Sequence, residues 1–196
     1  ADVMAGAHEE MRTGQAERLF PMIDEVLTEA GVAFDDLDAI GVGIGPGNFT
    51  GIRISVSAAR GLALALGIPA VGVSLFDALA LGAQKAPLLL SLKASRDRVY
   101  LQRRDGDEIS DITVAHLDRL PDIPSETLCV GASSEIIAAH GNCRFAPARF
   151  APAAAVAKLA AERWQTPQAL PAPLYVRPAD AVPSSDPQPV ILPDDA

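Results

Sequence analysis

The sequence predicts an α/β protein whose two halves repeat one order of elements, each half a small lobe. Three observations carry that reading. Residues 38–74 run as an apolar strand, the glycine turn Gly45-Pro46-Gly47-Asn48-Phe49-Thr50-Gly51, an apolar helix and a short strand ending in Gly72-Val73-Ser74. The order restarts at Pro87, where Val130-Gly131-Ala132-Ser133 takes the place that Val42-Gly43-Ile44-Gly45 has in the first half. Ahead of both, Leu19, Met22, Ile23, Val26 and Leu27 fall at i, i+3, i+4, i+7 and i+8, one apolar stripe on a helix.

The elements follow in order. Val3–Glu10 alternates weakly, as a strand would. A helix is expected over Gln15–Glu29, with Thr13 as N-cap and Gly31 as its stop. Pro21 argues that this helix begins near Leu19–Phe20, where proline is tolerated. Asp38–Ile44 is a buried strand, and Gly51–Leu66 a helix that is apolar almost all round and must be covered on more than one face. Asn48 or Thr50 suits its N-cap. Ala70–Ser74 is a strand and Leu75–Gln84 a third helix.

In the second half, Leu88–Leu92 and Arg98–Arg103 form a hairpin, followed by a strand over Glu108–Val114 and a short helix near His116–Leu120. Leu128–Ser133 is a strand entering a turn, with a helix over Ser134–His140, a weak strand at Asn142–Phe145 and a last helix over Ala153–Trp164. The chain divides into 1–85, 86–165 and a proline-rich, loosely held segment 166–196. The second half opens on a two-stranded hairpin that the first lacks, so about 20 further residues are expected before Ala1.

Composition bounds the function. The chain has 196 residues, 49% of them hydrophobic, enough for a real core. Its longest apolar run, Ile52–Val73, is broken by Arg53, Arg60, three glycines and Pro69, so no membrane span is expected. Ala1-Asp2-Val3 lacks the opening of a signal peptide. Cys129 and Cys143 have no metal-ligand spacing and read as reduced core residues of a cytoplasmic protein. A net charge of −9 argues against autonomous nucleic-acid binding. Beyond Arg96-Asp97-Arg98 and Arg103-Arg104 there is no basic cluster. If tRNA or another RNA is involved, a second subunit does the gripping.

The chemistry-bearing residues do not assemble. The turn Gly45–Gly51 lies where backbone N–H groups and a helix dipole bind phosphate. Yet Gly51 is followed by Ile52-Arg53 rather than Lys-Ser/Thr, and Gly43-x-Gly45 lacks the third glycine of a dinucleotide fingerprint. A structural turn (Gly45, Pro46, Gly47, Phe49, Thr50, Gly51) is the reading these misses favour, against an anion contact. Arg53 could serve a phosphate, an acidic residue of this chain or a partner. His8, His116 and His140 are scattered, and no serine lies in a G-x-S-x-G elbow. No catalytic, cofactor-binding or metal-binding residue is expected.

The stretch Gly45-Pro46-Gly47-Asn48-Phe49-Thr50-Gly51-Ile52-Arg53, continued by Gly61-Leu62-Ala63-Leu64-Ala65 and Gly72-Val73-Ser74, closely resembles the TsaB (YeaZ) family pattern G-P-G-S-F-T-G-x-R, K-G-L-A, G-V-S. Leu19-Phe20-Pro21-Met22-Ile23, Arg98-Val99-Tyr100 and Leu174-Tyr175-Val176-Arg177 resemble further family segments, so the match covers essentially the whole chain. Asn48 replaces a serine, Arg60 a lysine or glutamine, and Lys93 stands where the family hairpin has Asp. The family's N-terminal strand with its D-T-S turn has no counterpart.

The resemblance implies an actin/Hsp70-like (RNase H-like) fold. It also implies a non-catalytic subunit of the machinery that makes threonylcarbamoyladenosine in tRNA beside the anticodon. Its partners would be TsaD, the metal-bearing transferase, and TsaE, a P-loop ATPase, with a homodimer when alone. The implied interface lies on the first two helices, here Leu19, Met22, Ile23 and Val26 and then Ile52, Arg53, Val56, Ala59, Arg60 and Ala63. TsaD carries metal-binding histidines on its first helix, and Arg12-Thr13-Gly14-Gln15-Ala16-Glu17 has none. The rivals are a glycoprotease-like or acyl-transferring enzyme of the same superfamily and a sugar or acetate kinase of the same fold.

Overall fold

The strand Ile40–Gly45 (β1) sorts its side chains between two helices. Ile40, Val42 and Ile44 pack with Val56, Ala59 and Ile52 of the helix Phe49–Leu66 (α2). Gly41 and Gly43 face the other way, where the helix Pro152–Arg163 (α5) lies so close that a Cβ at Gly41 would stand 2.7 Å from the Ala160 Cβ. The computed structural model describes residues 2–11, 13–84 and 86–176. Arg12, Arg177 and the rest of the expected tail lie outside them.

β1 pairs in parallel with Ala70–Ser74 (β2), from Ile40 opposite Ala70 to Gly43 opposite Val73. Val71 and Val73 join Ala155, Val156, Leu159 and Ala160 in one cluster, so α5 covers the first-half sheet although it comes late in the chain. The second sheet runs β5-β4-β3-β7-β8, with β6 also paired to β4. Its strands are Leu88–Lys93 (β3), Arg98–Asp105 (β4), Glu108–Ile109 (β5), Thr113–His116 (β6), Leu128–Gly131 (β7) and Arg144–Ala146 (β8).

The β3–β4 pair is the expected antiparallel hairpin, and β3–β7 and β7–β8 are parallel. Helix Leu75–Ala80 (α3) places Phe76 against Leu90, Leu128 and Val130. Helix Ser134–Gly141 (α4) covers the opposite face through Ile137 and Ala138, against Leu89, Val99, Leu101 and Cys129.

The β–turn–α–β order recurs as β1-α2-β2 and β7-α4-β8. Gly45 (φ +105) and Gly131 (φ +115) close the two leading strands in the same left-handed region. The equivalence therefore runs Gly45 to Gly131, two residues from the pairing with Gly43 that composition indicated.

Several expectations are corrected. Residues 2–11 form no strand; they are largely exposed, and Glu9 accepts from Arg18 at 2.8 Å. The first helix is Gln15–Ala30 (α1), so Pro21 lies inside it rather than at its start. Gly14 in the left-handed conformation, not Thr13, caps it without a side-chain bond, and Gly31 ends it as expected. α3 stops at Ala80, before the left-handed Gly82.

The strand expected over Glu108–Val114 is broken into β5 and β6, both antiparallel to β4. The helix expected near His116–Leu120 is a turn closed by the His116–Arg119 bridge. The segment after Gln165 is not loose throughout. Pro171 is buried, and the Leu174 N–H donates to the Ile44 carbonyl at 2.8 Å, fastening the chain beside β1.

Candidate functional site

The glycine turn is built as a rigid corner. Gly45 and Pro46 are buried and joined by a cis peptide bond. A Cβ on Gly45 would meet Ile52 Cδ1 at 2.8 Å and the Leu174 carbonyl at 3.3 Å, at a φ that other residues adopt with strain. Asn48 is the N-cap: its Oδ1 accepts from the Gly51 N–H at 2.8 Å, and its carbonyl accepts from the Ile52 N–H at 3.0 Å. The Gly51 donor that a phosphate would need is thus engaged within the turn. Gly47, Phe49 and Thr50 are exposed around it.

Arg53 is exposed and, among the described residues, pairs with no acid. Its guanidinium lies 4.5 Å from the Phe49 ring centroid, and its Nε donates to the Tyr175 hydroxyl at 3.0 Å. The Phe49 and Tyr175 rings stand 5.2 Å apart, tilted by 31°. The return of Leu174 to Ile44 carries Tyr175 to this place. Within the chain its neighbours are aromatic rather than acidic, a setting for which the planar guanidinium is well suited. Beside this cluster a cavity of about 410 Å³ opens between Gln102, Ser110, Asp111, Ile112 and Leu174–Val176. In the sequence Tyr175 stands out only as an aromatic ring beside a proline-rich stretch.

The proposed helix faces separate into two kinds of residue. Val56, Ala59 and Ala63 are buried inside the chain, Ile52 is half-buried against β1, and only Arg53 and Arg60 of the six α2 positions are exposed. The outward side of α2 carries Arg53, Ser57, Arg60, Gly61 and Leu64, with Leu64 85% exposed. Periodicity identified the apolar helix but not the side its own sheet would claim.

On α1 no residue is buried: Leu19, Met22, Ile23 and Val26 are half-buried and Phe20 is 48% exposed. Arg18 closes α1's polar side with both Glu25 oxygens at 2.7 Å, which raises its pKa further and lowers that of Glu25. By length and composition alone α2 could cross a membrane, although three of its side chains are in the core.

Among the described residues no group of three His, Cys, Asp or Glu side chains is placed to hold a metal ion. Cys129 and Cys143 are free thiols with Sγ atoms 3.4 Å apart. Lys93 is exposed at the end of β3, opposite Val99.

A family model described as TsaD, tRNA N6-adenosine threonylcarbamoyltransferase, matches residues 9–164. The tRNA threonylcarbamoyladenosine biosynthesis protein TsaB of Escherichia coli (strain K12) is 36% identical over 96 residues, 47% of this chain and 42% of that protein. The match thus spans about two fifths of that relative's length. An uncharacterized protein of Mycobacterium tuberculosis (strain ATCC 25618 / H37Rv) is 37% identical over 169 residues, covering 86% of this chain and 77% of that one. The solved structure of YeaZ from Pseudomonas aeruginosa superposes with a TM-score of 0.63 at 28% identity, over 86% of this chain and 88% of the other. The fold is accordingly the actin-like α/β fold. Matched over most of its length by that family model and in structure by YeaZ, this chain belongs to the TsaD family as a TsaB (YeaZ)-type member.

Proposed function

We propose that this chain is a non-catalytic subunit in the biosynthesis of threonylcarbamoyladenosine in tRNA, and that it works by docking α1 and the outer face of α2 on a TsaD-like catalytic subunit. The observation that carries the reading is the unburied apolar surface of these helices: Leu64 at 85% and Phe20 at 48% exposure, on a helix pair where no α1 residue is fully buried. Covering one such side chain is worth about 1.5–3 kcal/mol, so a few suffice to hold a partner. The small Gly61 beside Leu64 lets a partner helix approach closely. In the absence of that partner the same face would pair two copies of this chain. A TsaE-like ATPase would complete the assembly, in the cytoplasm, with tRNA reached through the complex.

The test is coexpression with a TsaD-like subunit. Leu64→Glu and Phe20→Glu should cut copurification at least tenfold while leaving the melting temperature unchanged. Ala59→Glu, a core position, should unfold the chain instead. Copurification of Leu64→Glu at the wild-type level would sink the interface. Loss of tRNA modification in a reconstituted system lacking this chain tests the role itself.

A second reading, an acyl-transferring or glycoprotease-like enzyme in its own right, draws on the family model being named for the transferase. Turnover by the isolated chain, freed of any contaminating partner, would establish it.

A further inference from the structure

One end of the second sheet carries positive charge that neither the core nor the docking helices use. Lys93 ends β3, Arg96 and Asp97 make the hairpin turn, and Arg98 begins β4. Pairing sets Arg98 opposite His116 at the end of β6, and His116 bridges to Arg119. Lys93, Arg96, Arg98 and Arg119 are thereby gathered on three adjacent strand ends, a span of about 10 Å at ordinary strand spacing.

The turn is held in shape. Arg96 and Asp97 adopt φ of 60° and 55°, the Ala94 N–H donates to the Arg98 carbonyl at 2.9 Å, and the Leu117 N–H donates to the Asp97 carbonyl at 3.0 Å. Lys93, Arg96 and Arg119 are exposed and, among the described residues, make no ion pair. Arg98 donates to Ser95, and Asp118 sits 3.4 Å from His116. Four cations therefore stand against two carboxylates, Asp97 and Asp118, in a chain whose net charge is −9.

We infer that this end of the sheet contacts the sugar-phosphate backbone of an RNA, which on the function proposed above is the tRNA held by the assembly. A protein partner fits less well. Protein interfaces centre on apolar and aromatic anchors with charge depleted at the core. None of the exposed large apolar side chains among the described residues lies on this patch. Phosphate contacts need only positioned cations. Their number also explains the division of labour. Three unpaired cations give a salt slope of roughly −2 to −3, or about 20–60-fold in affinity between 50 and 200 mM salt. That is a useful addition to a grip made elsewhere, and too little for a strongly acidic chain to bind RNA alone except weakly at low salt.

The experiment measures binding of an unmodified tRNA transcript to the complex of this chain with its TsaD-like partner, over 50–200 mM KCl. Replacing Lys93, Arg96 and Arg119 together by Glu should lower the salt slope by about 2–3 and weaken low-salt binding at least tenfold. Arg96→Lys with Arg119→Lys should bind like wild type, because the charge is kept. An unchanged slope in the triple variant overturns the inference. So does unchanged RNA binding with loss of a protein subunit, which would make the patch a protein contact.

If this chain fails to join a TsaD-like partner, the functional reading falls by itself. Photo-crosslinking of the chain alone to tRNA at low salt then decides the patch: adducts on 93–98 and 116–119 sustain it, and adducts elsewhere or none overturn it.

Discussion

The carboxylate of Asp77 accepts a 2.7 Å hydrogen bond from Arg104 Nη2, joining α3 to β4. Its other oxygen accepts from Arg163 Nη1 of α5 at 3.1 Å, so one side chain ties three elements that meet between the two sheets. Arg104 is also held by Gln102 Oε1 at 2.8 and 3.1 Å. Asp77 and Arg104 keep only 27% and 16% of their side-chain exposure, which sets this pair apart from surface ion pairs. Asp77→Asn keeps the shape and removes the charge. It should cost about 1–3 kcal/mol and lower the melting temperature by about 2–4 °C for each kcal/mol. Thermal unfolding of the variant at the wild-type temperature would show the junction to be dispensable.

Two glycines of the family-like stretch should respond in opposite directions. Gly45→Ala forces a side chain into φ +105 and against Ile52 Cδ1, for an expected loss of about 1–3 kcal/mol. Gly61 lies inside α2, and a Cβ there meets nothing within 4 Å. Gly61→Ala should raise stability by about 0.5–1 kcal/mol through helix propensity alone. Urea denaturation of both variants checks the pair, and equal midpoints would refute the turn's conformational requirement.

The thiols of Cys129 and Cys143 should differ sharply in reactivity. Burial, and then the neighbouring Cys143, push the Cys129 thiol up from 9.0 to about 12. At pH 8 an alkylating agent should label Cys143, which is half-buried, and leave Cys129 intact until the chain unfolds. Stability should fall as pH rises from about 9 to about 12. In that window the unfolded thiol has lost its proton and the folded one keeps it, so the native state binds more protons. Below pH 9 the contribution is constant. Denaturation midpoints of wild type and Cys129→Ala at pH 8 and 10 isolate the effect; parallel changes in the two proteins would contradict it.

Local signals in the sequence located most elements. The 3.6-residue stripe located α1, and the apolar run with its bounding glycines located β1, α2 and β2. The hairpin β3–β4, then β7, α4 and α5, fell within a few residues of their expected bounds. What the sequence concealed was pairing over distance. Nothing local in Leu174 or Tyr175 shows that one returns to Ile44 and the other to Arg53. Val56 and Leu64 look alike on a helix that is apolar all round, yet one is in the core and the other outside. Nor does anything local show that the segment His116–Leu120 is a turn rather than a helix, with Leu117 and Leu120 packed beside Ala115 on the Leu89–Val99 cluster of the second sheet.

The close approach of Ala160 to Gly41 sets the order in which this molecule can be completed. β1 and β2 leave the ribosome early, but the helix that seals one side of them is among the last described parts to emerge. Until then Val71 and Val73 have only Ala78 and Leu81 of their cluster beside them. The early half therefore emerges with one side of its sheet largely open, and a chain cut between the two halves forfeits the α5 cover of Val71 and Val73.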